Sequence, residues 1–176
     1  MTGADSRGIA PTIEMLFSGG LPLWFKAYDG SVAGDPARPP AGTTHVVLDT
    51  PAGLHGKLLE RVLKPVRRVI VPVQPSLFDI LATRSFLAEL LAEKAVRKEK
   101  TFVAVVGMRV DARTRAAGEL ERFLEQYELP VLAYPRDTQA YVVMAGLGRS
   151  LFDYHSLQVR DHQQDWQPLL AWLDAV

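Results

Sequence analysis

Cysteine is absent from this 176-residue sequence, which excludes disulfides and thiolate metal sites and fits the reducing cytosol. The sequence also lacks any apolar run near the roughly 20 residues that a membrane-spanning helix needs. Its first residues, MTGADSRGIAPT, contain none of the apolar core of a signal peptide. These absences predict a cytoplasmic protein that has no contact with a membrane.

The chain has no net charge, yet its charged residues are unevenly distributed along it. Residues 57–115 hold 13 Lys and Arg against 6 Asp and Glu, whereas residues 116–176 hold 4 against 9. This distribution predicts a surface that is basic in one part and acidic in another. Two solvated helix faces would produce the same counts, so charge alone does not identify a partner.

Motifs for metal binding and for hydrolysis are missing as well. The histidines show no HxxxH or HExxH spacing, and no Gly-x-Ser-x-Gly string occurs. We therefore predict no metal site and no catalytic residues. The glycine-rich run GLGRS (146–150) follows a helix rather than linking a strand to a helix, which favours a helix C-cap and turn over phosphate binding.

From residue 45 onward, predicted strands and helices alternate, and we treat residues 1–176 as a single domain. The predicted strands are 45–49, 67–75, 101–108 and 129–135. The predicted helices are 54–64, 76–100 with Ser76 as N-cap, 114–127, 137–148 and 161–175. This order predicts an α/β fold whose mainly parallel, doubly wound sheet is flanked by helices. Ligands of such sheets bind beyond the carboxyl ends of the strands.

Several stretches resemble the ParA/MinD family of partition and positioning ATPases, the deviant-Walker P-loop proteins. DTPAG (49–53) resembles the family's magnesium-side strand end, and VIVPVQPSLFDILAT (69–83) its next strand, loop and helix. VVGMRVDARTR (105–115) resembles the strand that normally ends in an adenine-reading Asn-Arg pair. YPRD (134–137) and AGLGRSLFD (145–153) resemble the C-terminal signature. The resemblance implies a P-loop NTPase fold that is truncated or degenerate at its N-terminus.

The loop that defines this family is missing from the sequence. No KGGxGK[ST] string occurs, and the nearest stretch, TIEMLFSGGLPLW (12–24), has neither the lysine nor the Ser/Thr that holds magnesium. We interpret residues 1–44 as a divergent segment that replaces the P-loop region. In the family's sheet, the strand before that loop lies between the strands that 45–49 and 67–75 resemble. Either residues 12–17 or a second copy of the chain could fill that position.

The resemblance implies a set of nucleotide-site remnants at the carboxyl ends of the strands. They are Asp49, Pro51, Gly53, Met108, Arg109, Pro135, Arg136 and Asp137. Met108 stands where the family has asparagine, and a thioether cannot make the paired hydrogen bonds that read adenine. We therefore predict that ATP binding is lost. The alternative is a ParA-type ATPase that binds ATP and magnesium weakly or unconventionally, so whether the chain is an enzyme stays open.

The predicted function is that of a binding or scaffold module in DNA partition or in the positioning of a cargo. The expected assembly is a homodimer, with a ParB-like or intact ParA-like protein as partner. Contacts with DNA phosphates, without sequence preference, are predicted for a second set of cations. They are Lys94, Arg97, Lys98, Lys100, Arg113 and Arg115. For residues 94–100 the alternative is that cations offset the dipole at a helix C-terminus.

Overall fold

A computed structural model of the chain describes residues 23–27, 45–50 and 54–175. The candidate strand at 12–17, Pro51 and Gly53 lie outside the described residues. The described strands are β1 (Leu23–Ala27), β2 (His45–Asp49), β3 (Arg68–Val73), β4 (Phe102–Gly107) and β5 (Val131–Ala133). The described helices are α1 (Gly56–Leu63), α2 (Leu77–Ala92), α3 (Lys94–Arg97), α4 (Arg115–Leu124), α5 (Gln139–Gly146), α6 (Leu157–Gln164) and α7 (Gln167–Asp174). None of these helices has the length and apolar character needed to cross a membrane.

The strands are parallel, and the predicted α/β architecture is confirmed. β1 pairs with β2 in a two-stranded sheet, and β3, β4 and β5 form a three-stranded sheet in that order. Within the described ranges no ladder joins β2 to β3. These are the two strands between which the family resemblance places the missing strand.

Alternate residues of β4 face two different cores, as the pleat of a strand requires, whereas in β3 one face is buried and Ile70 and Pro72 are exposed on the other. Val71 and Val105 face the larger core, which helices α1, α2 and α4 complete. Val106 faces the opposite side, where it packs with Ala133 and with Leu169 of α7. Helices therefore cover β4 on both faces, whereas one face of β3 stays exposed at Ile70 and Pro72. Ligands of parallel sheets bind beyond the carboxyl ends of the strands.

The outer edge of β3 carries backbone groups that point away from β4. The N–H of Met108 donates to the carbonyl of Val73 at 2.7 Å, beyond the last rung of the ladder. Parallel ladders use alternate residues on each side, so Ile70 and Pro72 direct their backbone groups outward. Proline lacks the N–H that a ladder needs and is tolerated on such an edge. In the described part of the chain, β3 is therefore an edge strand.

The predicted continuous helix over 76–100 is wrong. Ser76 caps it as expected, accepting the Asp79 N–H at 3.1 Å, but α2 ends at Ala92. Glu93 is extended (φ −63°, ψ 138°), and only the single turn of α3 follows. A helix as far as residue 100 would be about 36 Å long. The adjacent β4 is only about 20 Å long, so an unbroken helix would extend well past the start of that strand.

The predicted continuous helix over 161–175 is also wrong. Two helices, α6 and α7, cover this region, and Pro168 lies in the first turn of α7. Proline in that turn needs no backbone N–H and starts a new helix. The sequence contained this signal, because a proline inside a helical pattern marks a helix boundary.

Candidate functional site

The carboxyl ends of β4 and β5 stay paired beyond the strands themselves. The N–H of Val110 donates to the carbonyl of Pro135 at 3.1 Å, and Val110 forms an isolated parallel bridge with Arg136. Pro135 is fully buried at this point. The continued pairing brings the residues around 109 next to those around 137, although they are far apart in sequence.

Arg109 and Asp137, both predicted as nucleotide-site remnants, form an ion pair. The guanidinium donates from Nε to Oδ1 at 3.2 Å and from Nη2 to Oδ2 at 3.4 Å. Arg109 has the left-handed backbone conformation (φ 55°), which is uncommon for a residue with a Cβ. The side chains are 63% and 55% exposed, so the pair contributes only about 0–1 kcal/mol.

Arg136 is held by the connection between α6 and α7. Its Nε donates to Asp165 Oδ2 at 2.9 Å, and its Nη2 donates to the Asp161 carbonyl at 2.7 Å. The hydrogen bond with the Asp165 carboxylate raises the pKa of the guanidinium. Asp165 is only 20% exposed. Arg136 therefore fixes the position of the last two helices against the end of β5.

Arg113 and Arg115 follow β4 and are also paired with carboxylates. Arg113 donates to Asp111 from both Nε and Nη2, at 2.9 and 2.8 Å. This side-chain hydrogen bond, with a further one from the Arg113 N–H, lowers the pKa of Asp111 to about 2. Arg115 pairs with Glu119 one turn along α4, at 2.9 Å. Both arginines thus have a carboxylate partner nearby, although their side chains are 89% and 91% exposed.

Met108 packs inward instead of presenting a polar group at the edge. Its side chain is half-buried and packs against the core of Val106, Ala133 and Leu169. Aromatic residues of the last helices, Trp166 and Trp172, pack against the same core. Met108, which the family resemblance places at the adenine-reading position, is thus part of the packing beneath α7.

Asp49 lies at the carboxyl end of β2 and is exposed. Asp49 is the charged residue of the DTPAG stretch. Within the described ranges, no group of three or more His, Asp or Glu side chains is placed to hold a metal ion. Among the described residues, Asp49 forms no ion pair with the arginines that follow β4 and β5.

The glycine-rich run after α5 forms a helix C-cap and turn, as predicted. Gly148 has φ 65°, its N–H donates to Ala145, and the Arg149 N–H donates to Met144 at 2.9 Å. This left-handed glycine satisfies the last carbonyls of the helix. Ser150 and Asp153 then form a capping box around a 3₁₀ turn at Leu151–Asp153. The Ser-x-x-Asp spacing was a sequence signal for that turn, which we had not predicted.

The six cations predicted to contact DNA fall into two groups. Residues 94–100 precede the start of β4, whereas Arg113 and Arg115 follow its end. Six residues of strand separate the groups by about 20 Å. The structure therefore does not join them into one patch.

The group at 94–100 borders a cleft at the amino ends of β3 and β4. The cleft has a volume of about 790 Å³ and includes Lys64, Arg67 and Phe102, which sequence reasoning missed. The neighbouring Arg68 has a structural role: it donates to the Leu173 carbonyl at 2.6 Å and lies over the Trp172 ring. The two consecutive arginines thus have different surroundings, which their sequence does not reveal.

Among solved structures, the chain is similar to the MinD cell division protein of Aquifex aeolicus, with a TM-score of 0.55. The sequence identity is 13%, and the match covers 74% of this chain and 54% of that chain. The chain thus spans about half the length of the solved structure, and a likeness at this identity shows the fold alone. No protein-family model and no curated protein sequence gives a significant match. The fold is therefore MinD-like, in agreement with a P-loop NTPase-like architecture.

Proposed function

We propose that this chain is a cytoplasmic, ParA/MinD-like binding or scaffold module for DNA partition or cargo positioning that does not bind ATP. The MinD-like fold supports the first part of the proposal. The second part is supported chiefly by one observation, the absence of a KGGxGK[ST] string, and the pairing of the arginines at the carboxyl edge adds to it. Four arginines that follow β4 or β5 are paired with carboxylates: Arg109, Arg113, Arg115 and Arg136. Arg122, within α4, instead donates to the Gly118 carbonyl.

A bound triphosphate needs a high density of donors and positive charge. In P-loop proteins these come from a glycine-rich backbone loop and a lysine, and this sequence contains no KGGxGK[ST] string. Each charge-assisted hydrogen bond that is missing removes roughly 1.5–3 kcal/mol of binding free energy. Recruiting Arg109 would also break an exposed ion pair worth about 0–1 kcal/mol, and recruiting Arg136 would release its hydrogen bonds to Asp161 and Asp165. These losses argue against the alternative function, an ATPase with unconventional nucleotide binding.

The assembly we propose is a homodimer that forms without nucleotide and receives a ParB-like or an intact ParA-like protein. The proposal of a partner chain is supported by the outer edge of β3, which pairs with no strand within the described residues. Unpaired strand edges readily accept another strand. Light scattering with and without ATP and magnesium tests this directly. We expect twice the 19.5 kDa chain mass in both conditions. A monomer in both conditions would contradict the dimer and leave the ATP proposal standing.

The test of ATP binding is the melting temperature with ATP and magnesium, compared with AMP and magnesium. A ligand that binds only the folded state at about 100 times its Kd adds roughly 2.7 kcal/mol of stability. We expect no difference between the two nucleotides. A rise of several degrees with ATP alone would establish the alternative function. Loss of that rise in an Arg109→Ala/Arg136→Ala variant would then place the nucleotide at the carboxyl edge.

A further inference from the structure

Hydrogen bonds join the segments that border the cleft at the amino ends of β3 and β4. Its walls are the end of α1, the loop into β3, helix α3 and the loop into β4. Thr101 is 2% exposed, and its hydroxyl donates to the Val66 carbonyl at 2.8 Å, which ties one loop to the other. The N–H groups of Lys100 and Thr101 both donate to the Ala95 carbonyl, at 3.0 and 3.2 Å. Hydrogen bonds inside the chain thus define the shape of the cleft.

The cations around the cleft have no partner within the described residues. They are Lys64, Arg67, Lys94, Lys98 and Lys100. None of them takes part in a described ion pair. Their charge is therefore available to a ligand, in contrast to that of the arginines at the opposite end of β4.

Stabilisation of a helix dipole does not account for these cations. α2 ends at Ala92 and has no basic residue in its last turn. α3 is a single turn of four residues, too short to sum a large dipole. Cations that offset a helix dipole would be expected at the end of a continuous helix over 76–100. The helix is broken at Glu93, so that explanation does not apply here.

The cleft also offers an apolar surface beside its charges. Phe102 is 55% exposed at the start of β4, and the half-buried Val66 and Ala95 lie along the same cleft. An aromatic side chain in a concave site provides an anchor for a partner, because burying it removes a large apolar area from water. A ligand that matches the cleft therefore carries both negative charge and an apolar group.

Carboxylates line the cleft as well, and they favour a peptide over a nucleic acid as the ligand. Glu60, Glu93 and Glu99 lie among the cations. A nucleic acid backbone is negative at every phosphate and would meet these carboxylates unfavourably. A peptide can place acidic residues opposite lysines and neutral residues opposite glutamates.

We propose that this cleft binds an acidic peptide segment of a partner protein, with an aromatic or aliphatic anchor seated against Phe102. The site lies at the opposite end of the sheet from the nucleotide-site remnants. It does not depend on whether those remnants bind ATP or on the proposed role in partition.

The test uses fluorescence anisotropy of a fluorescein-labelled peptide of Glu and Leu residues with one central Phe. A Lys-for-Glu version of the peptide and a random DNA duplex serve as comparisons. We expect the acidic peptide to bind, and binding to weaken at least about tenfold in a Lys94→Glu/Lys98→Glu variant. The matched control is Arg149→Glu/Arg160→Glu, which changes net charge equally at exposed positions away from the cleft.

The apolar contribution is tested by replacing one exposed phenylalanine at a time. Phe102→Ser should weaken the peptide roughly fivefold or more. Phe78→Ser should not, because Phe78 is 84% exposed on α2 and is not part of the cleft. Circular dichroism establishes that each variant is folded. Equal binding by the variants and their controls, no binding of the acidic peptide, or binding of the duplex in its place would each overturn the proposal.

Discussion

The two ends of β4 handle positive charge in opposite ways. At the carboxyl end, Arg109 and Arg113 are each held by a nearby carboxylate. At the amino end, Lys94, Lys98 and Lys100 surround a cleft without an ion-pair partner among the described residues. The comparison shows that the number of cations in a segment is a poor guide to a binding surface. What matters is whether the fold supplies each cation with an internal partner.

The ends differ in packing as well as in charge. At the carboxyl end, the ring of Tyr134 lies against the buried Gly107, and Met108 packs beneath α7. At the amino end, the strands open into a cleft whose walls are joined by the hydroxyl of Thr101. We therefore expect mutations at the carboxyl end to affect mainly stability. Those at the amino end should affect binding as well.

The largest effect is expected for Gly107→Ala at the carboxyl end. A Cβ at this position would lie 2.5 Å from Tyr134 Cδ1, 2.7 Å from Tyr134 Cε1 and 3.3 Å from Leu120 Cδ2. The first two distances are far below van der Waals contact, so the tyrosine ring must move. Overpacking of this kind costs about 1–3 kcal/mol of the free energy of unfolding. Urea denaturation measures the loss.

The matched control for that variant is Gly118→Ala in α4. No atom lies within 4 Å of the added Cβ there, and alanine is favoured over glycine inside a helix by about 0.5–1 kcal/mol. We expect this variant to be more stable than the parent chain. In a Tyr134→Ala background the cost of Gly107→Ala should fall, since the clashing ring is gone. An unchanged cost would mean that the carboxyl end is not packed as described.

A smaller effect is expected for Thr101→Val at the amino end. The swap keeps the shape of the side chain but removes its hydrogen bond to the Val66 carbonyl, which should cost about 1–2 kcal/mol. Because the bond joins two walls of the cleft, binding of the acidic peptide should weaken too. Thr83→Val is the control, since Thr83 is also buried but makes no described hydrogen bond. Equal losses in the two variants would indicate that the hydroxyl does not join the walls.

Most of the fold could be predicted from sequence because its signals are local. The buried run of β4 and the Ser76 cap of α2 both specify their elements without distant partners. The break at Glu93 could not be predicted in this way, since good helix formers lie on both sides of it. The break fits the length of the neighbouring strand, which is a property of the assembled sheet. Pro168 is different, because its signal was present and was overlooked.

The candidate sites were predicted less well than the fold. The predicted strand ends put Arg109, Arg136 and Asp137 at the carboxyl edge of the sheet, and in the structure they lie beyond the carboxyl ends of β4 and β5. Their pairing joins residues separated by 28 or 29 positions, which no local pattern encodes. The amino-end cleft was missed because Lys64 and Phe102 come from segments that only the fold brings together.

The smallest expected effect concerns Asp111, whose carboxylate is part of the paired carboxyl end. Its pKa is about 2, below the ordinary 3.8, first because of the side-chain hydrogen bond from Arg113 and then because of the Arg113 N–H. A lowered pKa in the folded state means that the carboxylate contributes stability above pH 3.8. That contribution is lost as the pH falls from there toward 2.

Arg113→Ala removes the side-chain hydrogen bond but keeps the backbone N–H, which donates to Asp111 at 3.1 Å. We therefore expect the pKa of Asp111 to rise to a value between 2 and 3.8, measured by carbon NMR of the carboxyl group against pH. Arg115→Ala is the control and should leave that pKa unchanged, because Arg115 pairs with Glu119. If the pKa of Asp111 did not rise in Arg113→Ala, the arginine would be free in solution. One of the ion pairs that distinguish the carboxyl end of β4 from its amino end would then be absent in solution.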